Sequence, residues 1–215
     1  MTEAAFQPPI LSYEKINTYA ESFLLDYDID NELPVPIEKV VEFKLGIDII
    51  PFPDLQRTFD IEGFISGDFK SIYVDEYVYN NRPARYYFTL AHEIGHYVIH
   101  KDLIEHIRPS SVAAWKDFID RVDVEAYGWL EYQAYAFGGL LLVPRKFLFK
   151  HFHEQITTMK QKIEFVKSQD LAKASYQEYV IEMIASNLTK SYDVSIGVLK
   201  RRILREIEIG TIEVP

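Results

Sequence analysis

The chain has 215 residues, of which 48% are hydrophobic and 14% aromatic. That suits a single packed domain with room for a small helical appendage. It has no cysteine, which excludes disulfides and thiolate metal sites, leaves His, Asp and Glu as the metal ligands, and fits a cytoplasmic protein. The net charge of −10 and pI near 5.1 disfavour broad nucleic-acid binding and favour a basic partner, if they signify more than a solvated acidic surface. No run of about 18 apolar residues suggests a membrane span. Met1 to Pro9 lacks the basic and apolar regions of a secretory signal.

In chain order, residues 12–27 read as a helix. Ser12 is placed to cap it, and Ile16, Tyr19, Ala20, Phe23 and Leu24 form one apolar face. After a polar connection from Asp26 to Pro36, Pro36 to Leu45 reads as a short helix closed by Gly46. Ile47 to Phe52 reads as a strand. Ile61 to Ser66 and Phe69 to Asp75 read as a hairpin about Gly67-Asp68. The three strands are expected to form a small antiparallel sheet, either plain scaffold or an edge for an extended peptide. Tyr79 to Ala84 reads as a turn, with Pro83 suited to the first turn of a helix running to His100.

That helix carries His92-Glu93-Ile94-Gly95-His96, an HExxH pair. Residues four apart lie on one helical face, so His92 and His96 can offer two imidazole nitrogens to one ion. Glu93, one step round, can reach a water there. This is the arrangement of a zinc hydrolase, with two ligands and a general base within five residues. Leu90, Ile94, Tyr97 and Val98 give the segment an apolar stripe. Histidines on a buried helix need partners, which a metal supplies.

Lys101 to Val122, which contains Pro109-Ser110-Ser111, reads as an irregular excursion with a short helix near Ala113 to Ile119. It is either a lid or an ordinary surface loop. Asp123 to Val143 reads as a second long helix with Glu131, Ala134, Tyr135 and Gly138 at helical spacing. Beyond Pro144 the pattern is almost wholly helical: Lys160 to Lys173, Tyr176 to Tyr192, and Ile196 to Glu206 capped by Ser195. The expected architecture is a mainly helical α+β fold. A catalytic core over residues 1–150 is followed by a C-terminal helical subdomain over 151–215.

A catalytic zinc normally takes three protein ligands. The extended HExxHxxGxxH pattern fails, because Ile99 stands at its glycine position and Asp102 at its last histidine position. Glu131 is the favoured third ligand, since Ala134 and Gly138 would let its helix approach closely. Glu125 and Asp102 are the alternatives. Arg85, Tyr97, His106, His151 and His153 are candidates to stabilise an oxyanion. His100 reads as a helix-end polar residue or as support for a ligand.

Two blocks carry a resemblance. Arg85-Tyr-Tyr-Phe-Thr-Leu-Ala-His-Glu-Ile-Gly-His96 and Glu131-Tyr-Gln-Ala-Tyr-Ala-Phe-Gly-Gly-Leu-Leu-Leu-Val-Pro144 resemble the ImmA/IrrE family of zinc metallopeptidases, with a similar layout over roughly residues 12–206. The resemblance implies zinc held by His92, His96 and Glu131, with Glu93 as the base. It also implies a protein substrate, a helix-turn-helix transcriptional repressor. Tyr135 stands where the family often has asparagine, and Gly138-Gly139 replaces its alanine-containing small pair. Two other readings compete. Ile181 to Ile203, with Lys200, Arg201, Arg202 and Arg205, has the character of a DNA-binding helix-turn-helix, although the acidic charge disfavours direct nucleic-acid binding. The other is a non-catalytic, repressor-binding module, which the intact His92, Glu93 and His96 argue against.

Overall fold

The computed structural model describes residues 7–107 and 111–215. Pro109 and Ser110 of the expected excursion, and Met1 to Phe6, lie outside the described residues. The chain forms two compact units, Met1–Leu142 and Val143–Pro215. Among the described residues, no helix is long and apolar enough to cross a membrane.

In the first unit, α1 (Tyr13–Asp26) starts where Ser12 Oγ accepts the Lys15 N–H, and it buries Ile16, Ala20, Phe23 and Leu24 along one face. A single turn, α2 (Ile37–Lys39), continues as a π-helical turn over Val40–Lys44. Gly46 follows in the left-handed region at φ +66°, the conformation that ends a helix most cheaply at glycine. Strand β1 (Asp48–Phe52) comes next, then a short helix α3 (Leu55–Phe59) between two left-handed aspartates, Asp54 and Asp60.

Strands β2 (Gly63–Ile65) and β3 (Ser71–Asp75) pair antiparallel, as a hairpin should, but the left-handed residue of their turn is Phe69 (φ +56°). The sheet order is β1-β3-β2, and β1 pairs with β3 in parallel. The sheet is therefore mixed, which corrects the antiparallel expectation. Helix α3 reverses the chain between β1 and β2, and β3 then inserts between them. Strand patterns reveal a hairpin but not the edge on which a third strand adds. The expected turn at Tyr79 to Ala84 is mostly a further helix, α4 (Glu76–Asn81). Its cap, the buried Asp75, accepts the Tyr77 and Val78 N–H groups through Oδ1 and the Gln56 N–H through Oδ2. One carboxylate thus ties α3 to α4.

Helix α5 (Pro83–Ile99) starts with its proline in the first turn, and α8 (Val124–Leu142) lies against it. Between them, α6 (Lys101–Ile107) was not foreseen, whereas α7 (Val112–Ile119) follows the expected short helix. Trp115 of α7 packs on Phe64 of β2, in a cluster with Leu55, Val122 and Leu130. The α5–α8 seam is closed by small residues. A Cβ on Gly95 would lie 2.9 Å from both Cα and O of Ala134, and one on Gly138 would lie 3.2 Å from the His92 nitrogen. Leu90, Ala91, Ile94, Leu130, Ala134, Phe137 and Leu141 are fully buried, and burying each large one contributes about 1.5–3 kcal/mol.

The second unit contains α9 (Arg145–Thr158), α10 (Lys160–Lys167), α11 (Lys173–Tyr192) and α12 (Ile196–Glu208). Ser195 caps α12 through the Val198 N–H, as expected. Leu148, Phe152, Ile181, Ile184, Leu188, Leu199 and Ile203 are buried. The fully buried Glu206 accepts from Arg202 Nη1 at 2.7 Å, Arg145 Nε at 3.1 Å and Thr211 Oγ1 at 2.7 Å. Arg202 also reaches the Val143 carbonyl.

Two glycines of the first unit give opposite expectations. In Gly95→Ala the new methyl group meets backbone that cannot rotate away. The helix propensity gained is outweighed, and stability falls by about 1–3 kcal/mol. In Gly128→Ala nothing lies within 4 Å of the new Cβ, and stability rises by about 0.5–1 kcal/mol. Urea unfolding midpoints of the two variants check both signs.

Candidate metal centre

Helix α5 presents His92 and His96 on one face, and α8 delivers Glu131 to the same point. The two Nε2 atoms are 3.1 Å apart. Glu131 Oε2 lies 3.3 Å from His92 Nε2, and Oε1 lies 3.6 Å from His96 Nε2. Ligand atoms about 2.0–2.1 Å from a metal at tetrahedral angles sit about 3.3–3.4 Å from one another. The spacing and the donor set therefore fit a bound ion. Among the described residues, no other group of three or more His, Asp or Glu side chains is assembled in this way. The seam explains the convergence. Gly95 and Gly138 bring the two helix backbones close enough for a short carboxylate arm to span the gap.

Glu93 is buried, and its Oε2 accepts the Ile65 N–H of β2 at 2.9 Å. Burial pushes its carboxyl up to about 7, with Glu131 adding to the rise and His92 and the Ile65 bond opposing it. Burial would also raise Glu131. The His92 hydrogen bond, the charges of His96 and His92, and the Tyr127 hydroxyl outweigh it and hold the carboxyl near 2. The effect on His92 is reciprocal. Burial lowers it, but the Glu131 hydrogen bond and the Glu131 and Glu93 charges leave it raised. Burial dominates at His96 and lowers it.

A buried chain stands behind His96. His96 Nδ1 is 3.1 Å from His100 Nδ1, and His100 Nε2 is 3.3 Å from Gln133 Oε1. Gln133 Nε2 donates to the Pro9 carbonyl. Burial lowers the His100 imidazole to about 4, so it is neutral at physiological pH. His100 is thus both the end of α5, where its N–H bonds the His96 carbonyl at 2.9 Å, and a neighbour of a ligand.

The other expected residues lie elsewhere. Glu125 and Asp102 are exposed and outside the cluster. Arg85 pairs with Glu62, and Tyr97 packs on Phe69 and Lys101. His106 bonds the Asp102 carbonyl, and within the second unit His151 bonds Tyr192 and His153 bonds the Phe149 carbonyl. Tyr135 packs tilted against Phe88 and edge-on to His92. Sequence reasoning missed Tyr127, whose hydroxyl lies close enough to the Glu131 carboxylate to help hold it low. Its position one helical turn before Glu131 was the available signal. Gln133 was missed as well. It lies two residues from Glu131, a spacing that does not by itself place it on the Glu131 face.

A mixed α+β fold with HExxH on one helix and a glutamate from a second defines a metallopeptidase-type centre. The chain belongs to the IrrE N-terminal-like domain family of peptidases (Peptidase_M78), whose model matches residues 43–204 and so takes in both α5 and α8. No curated protein matches the chain in sequence.

A metal must displace the proton that the raised His92 carries below and somewhat above pH 6.5. At pH 6, below the ordinary histidine value, metal uptake should therefore release the His92 proton, and the apparent affinity should climb as the pH rises. Calorimetry in paired buffers of different ionisation enthalpy measures the count. A count that is flat and near zero at pH 6 would contradict the His92 assignment.

Proposed function

We propose that this protein is a zinc-dependent metalloendopeptidase that cleaves a protein substrate, a helix-turn-helix transcriptional repressor, in the cytoplasm. The observation that carries the reading is the convergence of His92, His96 and Glu131 on one point beside the buried Glu93. Two imidazoles and one carboxylate at tetrahedral spacing suit zinc. A zinc ion held there supplies Lewis acidity, polarising a carbonyl oxygen and lowering the pKa of a water towards about 7.

The chain's own residues do the remaining work. Glu93 takes a proton from the attacking water and hands it to the leaving amine. The water's oxygen bonds the carbonyl carbon, the C–N bond breaks, and an acid and an amine result. Tyr127 orients the Glu131 carboxylate. Strand β2 lies at the edge of the sheet beside Glu93, where an extended segment of substrate could add as a further strand by taking over the Ile65 N–H from the Glu93 carboxylate. The repressor substrate rests on the family resemblance and on the compatibility of an acidic enzyme with a basic DNA-binding partner.

Two features weigh against a DNA-binding role for α11 and α12. Arg202 is buried against Glu206. Lys200 pairs with Glu182, and Arg205 with Glu208. Lys200, Arg202 and Arg205 thus have acidic partners within the unit. A repressor-binding module without catalysis would leave the buried Glu93 only its hydrogen bond to the Ile65 N–H.

Elemental analysis and a cleavage assay test the reading together. Wild type should carry about one zinc per chain, and His92→Ala and Glu131→Gln should lose it. Glu93→Gln should keep the zinc and lose about 10²–10⁴-fold in cleavage rate, with fragments of a candidate repressor identified by mass spectrometry. Repressor binding by zinc-loaded wild type with no cleavage, matched by Glu93→Gln, would replace the enzyme with the binding module.

A further inference from the structure

The buried chain behind His96 has only one workable direction. The Pro9 carbonyl can accept but not donate, so Gln133 must turn its NH2 group towards it. That leaves Oε1 facing His100 Nε2 at 3.3 Å. An amide oxygen accepts, so His100 must carry its proton on Nε2. His100 Nδ1 is then bare and can only accept, at 3.1 Å, from His96 Nδ1. His96 must therefore hold its own proton on Nδ1. Its Nε2 then carries a lone pair, 3.1 Å from His92 Nε2, which can donate to it, and 3.6 Å from Glu131 Oε1.

Reversing any link sets two acceptors or two donors face to face. Gln133 is 0% exposed and His100 1%, so water cannot relieve such a clash, and a buried polar group without its partner is costly.

We propose that His100 and Gln133 are positioning residues: the chain from the Pro9 carbonyl through Gln133 and His100 fixes His96 as the Nδ1–H tautomer and so prepares Nε2 as a metal ligand. It follows that the segment before α1, 124 positions from Gln133 in sequence, is part of the site's support. The metal-ligand part rests on the reading of His92, His96 and Glu131 as the zinc centre; the tautomer part does not.

The test uses the full chain with ¹⁵N-labelled histidine. Long-range ¹H–¹⁵N spectra of the metal-free protein at neutral pH distinguish the tautomers. Wild type should show His96 with its proton on Nδ1 and His100 with its proton on Nε2. Gln133→Glu, protonated in this buried position, keeps an acceptor for His100 and an O–H donor for the Pro9 carbonyl, and should keep the His96 tautomer. Gln133→Met keeps the shape without the acceptor and should give His96 a mixture of tautomers. In zinc competition against a chromophoric chelator, Gln133→Met should bind about 10–100-fold more weakly than wild type, and Gln133→Glu close to wild type.

His96 protonated on Nε2 in wild type would overturn the proposal. So would an unchanged His96 tautomer or unchanged zinc affinity in Gln133→Met, or loss of the tautomer in Gln133→Glu. If Gln133→Met does not fold, the wild-type and Gln133→Glu spectra decide. If wild type takes up no zinc, the zinc reading falls, and the metal-free spectra still decide whether the chain sets the tautomer.

Discussion

The close contact between α5 and α8 is the constraint on which the rest depends. A glutamate on one helix reaches two histidines on another only if the helix backbones nearly touch, because its side chain is short. Gly95 against Ala134, and Gly138 against the Ala91–His92 backbone, provide that approach. The same contact seals the seam with fully buried Leu90, Ile94, Leu130 and Phe137. Stability and site geometry are therefore not separate properties of this protein. A methyl group added at the seam strains the core and moves Glu131 in one step.

The seam also sets the electrostatics. It brings two carboxylates and two imidazoles into a poorly solvated space, where charge is expensive unless balanced. Without a cation the groups share protons: His92 is raised, Glu131 held low, Glu93 raised to about 7 and His96 lowered. A divalent cation among them would balance both carboxylates and favour the ionised form of Glu93, the form a general base requires. Without a cation Glu93, raised to about 7, is about half protonated near neutral pH. The ligand set and the base are thus coupled through charge as well as through their adjacency in sequence.

The site was more legible in the sequence than the fold around it. His92, Glu93 and His96 follow from helical periodicity, and Glu131 from the small residues on its own face, because both are local patterns. The sheet topology was not legible. β1 joins β3 in parallel only because α3 turns the chain, and no periodicity in Ile47 to Phe52 records that. Helices α3, α4 and α6 have 5, 6 and 7 residues, too short for an apolar stripe to stand out from a turn. Gln133 and Pro9 had no signal that a single sequence could offer, since their contact spans most of the first unit. The basic run in α12 suggested a surface that is not there for Arg202, because charge in a sequence says nothing of burial.

The two units also bury charge in different ways. In the second, Glu206 is fully enclosed, but two arginines and a threonine hydroxyl meet its oxygens. Opposite charges close on each other there, and the result is a pin between α9 and α12 within that unit. In the first, Glu93 and Glu131 meet a backbone N–H, imidazoles and a phenol. Breaking a closed ion pair costs more than forming it gains, so such a network resists exchange of partners. A cluster of acidic and neutral groups around one point can accept a cation from outside. The difference between a structural pin and a candidate reaction centre in this chain is the placement of positive charge: arginines supply it at Glu206, whereas His92, His96 and Glu131 are arranged so that an ion could supply it.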